Sequence, residues 1–276
     1  MTRHCFIVLL FSCSFASAQN PVAICRKMFG VIAATNTVSL KMESYERIGD
    51  KYITTKFLVK RSRKPLNVYY KQSFPVDGAE VLLNSNGKVL VNPGTFPWIT
   101  MEMDINSSLL RKDQHHGIME SGYDYFVLLM SELFRKYADS LSKNVILEKT
   151  ETINNKSCYK ISLNNPAYKI YTYKVTKDET ILSIAGRLKI SEYKICELNN
   201  KNSVSEKIQA GTGLKLPTDY AKSMILWVDT KIKIPLKMEV YDEKGLYEKY
   251  VFNEVVINPV FKNLDFEKDN PDYKFK

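Results

Sequence analysis

The hydrophobic pattern of the chain changes its period along the first half. Apolar residues three to four apart predict one amphipathic helix at Pro21–Ala34. Polar and apolar residues then alternate through Val38–Gln72, which is typical of strands buried on one face. Short apolar runs at Val81–Leu83 and Val89–Val91 flank Asn86-Gly87, a pair that supplies the positive φ of a tight hairpin. The first half is therefore predicted to be a helix followed by an antiparallel meander.

Helical spacing returns in the middle of the chain. Large apolar residues recur every three to four positions through Gly117–Leu141, on more than one face, so a buried helix is predicted there. A tail rich in charge and aromatic residues follows at Pro259–Lys276. Between them lie the predicted later strands, Val145–Glu151, Ser157–Leu163, Met224–Asp229, Leu236–Tyr241 and Tyr247–Val256.

The segment between Leu163 and Met224 has a different pattern. Thr176–Thr180 and Ser191–Lys194 are polar runs that each precede apolar residues at helical spacing, which predicts two capped short helices. Strands before and after them give the order strand, helix, helix, strand, and the segment has its own set of core residues. It resembles a LysM domain in the residues Tyr173, Val175, Asp178–Ile181, Ser183–Ala185, Ile190-Ser191, Leu198-Asn199, Ile208–Gly211 and Leu214–Pro217.

The LysM resemblance implies a shallow groove that binds polymers of N-acetylglucosamine, such as peptidoglycan. Backbone groups on two loops would meet the acetamido group while isoleucine side chains face its methyl. Asp178 stands where the family usually has glycine, so this loop departs from the family pattern. The alternative is a LysM-shaped spacer without sugar affinity. The carbohydrate-binding residues implied by position are Asp178, Glu179, Thr180, Ile181, Ile208, Gln209, Ala210 and Gly211.

The remainder of the chain resembles DUF1571-type exported proteins with a half-barrel like that of the lipoprotein carriers LolA and LolB. The resemblance rests on His115–Ile118, Trp227–Asp229, Pro235–Tyr241 and Phe266–Tyr273. It implies an α+β fold in which helices cover a curved, unclosed antiparallel sheet, with the βααβ module inserted in a hairpin. The expected division is a signal peptide at 1–18, a discontinuous half-barrel domain at 19–168 and 219–276, and a LysM domain at 169–218.

Carriers of this plan hold acyl chains in the cavity under the sheet, so a lipid or a lipoprotein is the partner that the resemblance implies. A fully packed interior would instead make the half-barrel a structural scaffold of a wall-associated protein. The side chains expected to line a lipid cavity are Phe126, Leu129, Met130, Phe134, Trp227 and Met238.

Charge and motif content narrow the chemistry. The net charge of +10 suits anionic partners such as membrane headgroups, but no nucleic-acid-binding fold is recognisable. His115 and His116 would need Asp113 or Glu120 to form a metal site, and the spacing of a zinc helix is missing, so neither metal nor cofactor is expected. No nucleophile elbow or phosphate loop occurs, and an enzyme is not expected. A cell-wall hydrolase is the alternative, because carboxylate pairs form in space.

The cysteines do not form a recognisable framework. Cys25, Cys158 and Cys196 are an odd number at wide spacing, so small buried thiols are expected. The alternative is a disulfide between Cys25 and Cys158, if the protein resides in an oxidising compartment.

The N-terminus predicts export. A basic start precedes the apolar run Cys5–Phe11, and Ala16-Ser17-Ala18 fits a signal-peptidase site, which places the protein in the periplasm of a diderm bacterium. The alternative is a lipoprotein anchored at Cys13, since Leu10–Cys13 loosely resembles a lipoprotein box.

N-terminal sequencing of the protein isolated from its host is expected to begin at Gln19. A start at a lipid-modified Cys13 would instead establish the anchored form, and a start at Met1 would contradict both.

Overall fold

A computed structural model describes residues 19–84 and 87–275. The predicted signal peptide and lipidation site therefore lie outside the described residues, as does Asn86 of the predicted hairpin turn. Gly87 is described and has a φ of +74°, as the predicted tight turn requires.

The helices follow the sequence at the N-terminus and depart from it in the middle. The first helix begins after Asn20, whose side chain accepts hydrogen bonds from the backbone of Val22 and Ala23 at 2.9 and 3.2 Å. No helix in the described residues is both long enough and apolar enough to span a bilayer. The helices are α1 Pro21–Ala34, α2 Tyr123–Lys136, α3 Leu141–Asn144, α4 Ile181–Leu188 and α5 Glu192–Asn199.

The predicted helix Gly117–Leu141 is shorter than expected. Gly122 has a φ of +74°, which is outside helical geometry, so α2 starts only at Tyr123. A single 3-10 turn, Ile118–Glu120, precedes this break, and another short turn separates α2 from α3. Apolar spacing did not reveal the break, because Ile118 before Gly122 and Tyr123 after it are both buried.

Fifteen strands form in the described residues, and eleven of them make one antiparallel sheet. Its order is β6-β5-β4-β3-β2-β1-β15-β14-β13-β8-β7, so β6 and β7 are edges and the sheet is unclosed. The strands are β1 Thr37–Ile48, β2 Lys51–Ser62, β3 Asn67–Phe74, β4 Glu80–Leu83, β5 Val89–Asn92, β6 Met101–Met103, β7 Val145–Ile153, β8 Lys156–Asn164, β9 Ile170–Lys174, β10 Glu179–Thr180, β11 Lys207–Ile208, β12 Gly213–Pro217, β13 Ser223–Asp229, β14 Pro235–Asp242 and β15 Gly245–Ile257.

One face of this sheet is covered by α1 and α2. Alternating residues of each strand point to that inner face, as the period of two predicts. The two helices contact each other through Phe29 and Phe134, whose ring centroids are 5.1 Å apart. The main core contains Cys25 and Cys158 as free, buried thiols. The expected α+β architecture, an unclosed antiparallel sheet covered by helices, is confirmed.

The C-terminal tail packs on the outer face of the same sheet. Tyr273 stacks on Tyr69 of β3 with ring centroids 3.9 Å apart, and Phe266 and Phe275 join them in a small second core. The side chain of Asn92 donates to the carbonyl of Lys274 at 2.7 Å. The tail is therefore a packed part of the fold, on the side away from the helices.

Residues 169–218, here called the inserted segment, lie between β8 and β13. Its first and last strands, β9 and β12, pair antiparallel, and β10 pairs with β11. The helices α4 and α5 pack with them around a separate core that includes Ile184, Ile195 and Leu214. Since β9 and β12 pair, the ends of the segment meet, and the hairpin of β8 and β13 continues beneath it.

Buried ion pairs join the inserted segment to the main sheet. Lys194 of α5 lies 2.7 Å from Asp242 at the end of β14, and Arg47 of β1 contacts the same carboxylate. These three side chains are at most 7% exposed. A second buried pair joins Arg111 to Glu192 at 2.8 Å. Buried ion pairs therefore attach the inserted segment to the rest of the protein.

Replacing Asp242 by asparagine should destabilise the protein by about 3–5 kcal/mol near neutral pH, because Arg47 would stay buried without its ion-pair partner. Lys194 keeps its pairs with Glu197 and Glu243. Urea unfolding measures the effect. The matched control is Glu254→Gln, which breaks an exposed pair with Lys41 and should cost less than about 1 kcal/mol.

The same comparison should depend on pH. Burial alone raises the pKa of Asp242, but hydrogen bonds from Arg47 and Lys194 outweigh burial and lower it. A lowered pKa gives stability that is present above the unfolded value of about 3.9 and is lost as the pH falls through the folded value. The difference in free energy of unfolding between the unsubstituted protein and Asp242→Asn should therefore become smaller as the pH is lowered. A difference that is constant down to unfolding by acid would contradict this assignment.

Candidate functional site: a cavity with a buried glutamate–histidine cluster

A cavity of about 330 Å³ lies between the inner face of the sheet and α2. Three of the side chains predicted to line a lipid cavity do line it: Phe126 and Leu129 from α2, and Met238 from β14. Apolar residues of the other strands complete its wall: Met42, Ile53, Phe57, Val81, Val91, Met103 and Phe252.

The other three predicted residues lie elsewhere. Met130 and Phe134 are buried in the core beside the cavity, without lining it. Trp227 is on the outer face, where its indole Nε1 donates to Glu151 at 2.6 Å and Lys237 lies 4.0 Å from the ring centroid. Its expected place in the cavity wall is therefore corrected. Leu226 is the residue that pairs with Met238, and consecutive strand residues point to opposite faces.

Two glutamates face each other at one end of the cavity. Glu46 of β1 and Glu248 of β15 are directly opposed in the register and both line the cavity. They are only 5% and 2% exposed. Like charges opposed on neighbouring strands repel, and burial strengthens the repulsion. This pair therefore requires positive charge or shared protons close by.

Both histidines supply hydrogen bonds to this pair. The Nδ1 atom of His115 lies 2.9 Å from Glu248 Oε2, and its Nε2 lies 2.9 Å from the carbonyl oxygen of Arg47. The backbone N–H of His115 donates to Glu46 at 2.7 Å. His116 places its Nε2 3.3 Å from Glu248 Oε2, and its buried Nδ1 has no partner among the described residues.

Two tyrosines complete the hydrogen bonding. Tyr220 donates to Glu248 Oε1 at 2.6 Å, and its oxygen lies 2.9 Å from His116 Nε2. The hydroxyl of Tyr250 contacts both glutamates, with 3.2 Å to Glu248. Both tyrosines line the cavity. The result is one connected polar cluster in an otherwise apolar space.

The charges of this cluster shift the pKa values of its members. Burial disfavours the imidazolium of His116, but the Glu248 carboxylate outweighs burial and raises the pKa of His116 to about 9. Burial also disfavours the carboxylate of Glu248, yet His116 and His115 outweigh it and hold the pKa of Glu248 well below its usual range. Glu248 is thus a carboxylate and His116 an imidazolium near neutral pH.

Aromatic stacking connects the cluster to the inserted segment. The His115 ring lies between Tyr247 of β15 and Tyr193 of α5, with centroid distances of 4.0 and 4.6 Å. The Tyr193 hydroxyl accepts a hydrogen bond from the backbone of Gly49 at 2.8 Å, which fixes its position. One residue of the inserted segment therefore helps to orient a side chain at the end of the cavity.

The loops predicted to bind carbohydrate are adjacent in the structure. The Asp178 carboxylate accepts a hydrogen bond from the Ala210 backbone at 2.8 Å and joins the two loops. Asp178, Gln209, Ala210 and Gly211 are exposed.

The remaining four residues predicted to bind carbohydrate have structural contacts. Ile181 and Ile208 are 0% and 3% exposed, so they cannot face a sugar methyl group as expected. Thr180 caps α4, and Glu179 is buried against Arg187.

The sequence alone did not identify Glu46 and Glu248. Asp113 and Glu120 were the carboxylates considered for the histidines, but Glu120 contacts Arg111 and the Gly117 backbone instead. The available signal was the alternation itself. Glu46 occupies a position that the pattern assigns to the inner face, where a lone carboxylate is unusual.

The fold and the cavity define an α+β protein in which an unclosed antiparallel sheet and a helix enclose a space with one charged end. The sequence profile of the family described as "Protein of unknown function (DUF1571)" matches residues 36–190 and 174–275, and the chain belongs to this family. The DUF1571 resemblance inferred from the sequence is thereby confirmed. No curated protein matches the chain.

Several solved structures are similar over most of their length. The lipoprotein LppX of Mycobacterium tuberculosis matches with 11% identity and a TM-score of 0.43, covering 87% of this chain and 97% of that chain. LprF from Mycobacterium bovis gives 11% identity and a TM-score of 0.42 over 87% and 94%. A LolA superfamily protein from Nitrosomonas europaea gives 11% identity and a TM-score of 0.31 over 91% and 99%.

Proposed function

We propose that this protein is an exported, non-enzymatic binding protein that holds an amphiphile, such as a fatty acid, a lipid or the acyl part of a lipoprotein, in the cavity. The observation that carries the proposal is a polarity gradient along two neighbouring strands. On the inner face of β1 the residues run from Glu46 through Ser44 to Met42, and on β15 from Glu248 through Tyr250 to Phe252. An acyl chain fits the apolar end and a polar group fits the other.

Energetics favour a chain-shaped ligand. Each methylene group that leaves water for the cavity contributes about 0.8 kcal/mol, which is about fourfold in affinity. The unpartnered Nδ1 of His116 lies in the polar cluster beside this space and can donate to an oxygen of the ligand. An apolar cavity with one charged end would have no role in a protein that served only as a scaffold.

Saturated fatty acids of increasing length, competing with a fluorescent fatty acid, are expected to bind more tightly with each methylene until the cavity is full. Leu129→Trp should shorten the longest chain that is accommodated, because Leu129 lines the cavity. Leu128→Trp is the matched control, since Leu128 is the next residue of α2 and is 45% exposed.

Affinity that stays flat with chain length, together with no effect of Leu129→Trp, would leave the half-barrel as a scaffold. Where fatty acids do bind, mass spectrometry of lipids that copurify with the unsubstituted protein identifies the natural ligand. The net charge of +10 favours contact with anionic membranes.

A second candidate function belongs to the inserted segment, which we propose to be a LysM domain that binds peptidoglycan. The paired strands β9 and β12 and the hydrogen bond between Asp178 and Ala210 favour this function, since they present two joined, exposed loops. Removing the whole segment is a poor test, because Arg111 and Asp242 would lose buried partners. Substitution within one loop is sharper.

Gly211→Val is expected to abolish co-sedimentation with peptidoglycan while leaving the fold intact. Gly211 has a φ of +88° on the loop, and a β-branched residue is strained there. Gly213→Val is the matched control, because Gly213 lies in β12 at an ordinary strand conformation. Equal sedimentation of both variants would show that this loop does not bind the polymer, and no sedimentation of the unsubstituted protein would leave the segment as a spacer.

A further inference from the structure

The opposed glutamates and His115 form an arrangement that suits a metal ion. One ligand atom from each of Glu46, His115 and Glu248 lies within 4.8 Å of the others, and all three residues are buried. We propose that these three side chains bind one divalent transition-metal cation, for which Zn²⁺ is the probe. This inference is independent of whether the cavity holds an amphiphile.

The charge of the site favours a cation. Two buried carboxylates are opposed on neighbouring strands, and the side chains that form ion pairs with them among the described residues are the two histidines, both with Glu248. Burying such a pair without compensation is costly. A divalent cation supplies two positive charges between them, at the position where the repulsion is greatest.

The orientation of His115 is that of a metal ligand. Its Nε2 lies 2.9 Å from the carbonyl oxygen of Arg47, which can only accept a hydrogen bond, so Nδ1 is the ring atom that can bind a metal, and it lies beside Glu248 Oε2. A metal cation bound here would take the place of the proton that otherwise joins Nδ1 and this carboxylate oxygen, which lie 2.9 Å apart. Tyr193 and Tyr247 stack on both sides of the ring and hold this orientation.

The donor set identifies the class of metal. An imidazole nitrogen with two carboxylates suits zinc and its first-row neighbours, whereas calcium and magnesium prefer oxygen alone. Glu46 and Glu248 also line the cavity. A cation held by three protein ligands there keeps a coordination position directed at the cavity, as in zinc sites that bind a small molecule.

Isothermal titration of Zn²⁺ into the full chain, stripped of metal with a chelator, tests the proposal. We expect one ion per chain, and affinity lower by at least about 10-fold to 100-fold in Glu46→Gln and in Glu248→Gln, since that is the loss typical of removing only a partner of a ligand. Glu80→Gln is the matched control, because Glu80 is an equally buried carboxylate on the opposite face of the sheet, and its affinity should be unchanged. Failure to bind, or equal affinity in all variants, would overturn the proposal.

A measurement on the unsubstituted chain covers the case in which a glutamate variant fails to fold. With ¹⁵N-labelled histidine in the protein that begins at Gln19, which lacks His4, Zn²⁺ should shift the Nδ1 resonance of His115, which a His116→Asn variant identifies by elimination. Unmoved histidine resonances at saturating Zn²⁺ would place the ion elsewhere and overturn the proposal. Loss of fatty-acid binding with retained Zn²⁺ binding would count against the amphiphile alone, so the two proposals fail separately.

Discussion

Two carboxylates placed opposite each other inside an apolar sheet set the requirements for much of the surrounding structure. Glu46 and Glu248 cannot share that position without compensation, and the segment bearing His115 and His116 supplies it. That segment also leads into the turn before α2, so the neutralised pair is coupled to the helix that closes the cavity. His115 also stacks on Tyr193, so it is packed against the inserted segment. Electrostatic repulsion at one cross-strand pair thereby organises the cavity, its cover and the insertion together.

Much of the fold followed from local pattern. Alternation and short apolar runs predicted the strands of the main sheet except β6, and the apolar spacing from Pro21 predicted α1, because these signals depend only on neighbouring residues. The helix predicted at 117–141 was too long because the spacing of apolar residues does not register the backbone conformation of Gly122. Trp227 was predicted to line the cavity, but Leu226 is the residue that pairs with the cavity-lining Met238, and the next residue along a strand points to the opposite face.

The candidate site was harder to predict because its members come from distant parts of the chain. His115 stood out by residue type, but its carboxylate partner is the direct cross-strand neighbour of Glu46, and that register is set by the whole β1–β15 pairing. The inserted segment was easier, because its strands, helices and core are local in sequence. Its contacts with the main sheet, such as Lys194 with Asp242, could not be predicted from local pattern because they join residues that are far apart in the chain.

The position of β1 beside β15 also dictates when the cavity can form. Val38 pairs with Ile257, so the centre of the sheet joins the two ends of the chain, and pairing of such distant segments is intrinsically slow. The inserted segment closes through β9 and β12, which are close in sequence, and has its own core. During synthesis this small unit can therefore fold while the two flanking parts of the sheet are still separate. The cavity and its charged end form only when β15, the last strand of the sheet, pairs with β1. The two flanking parts of the sheet are therefore expected to stay apart until β15 has been synthesised.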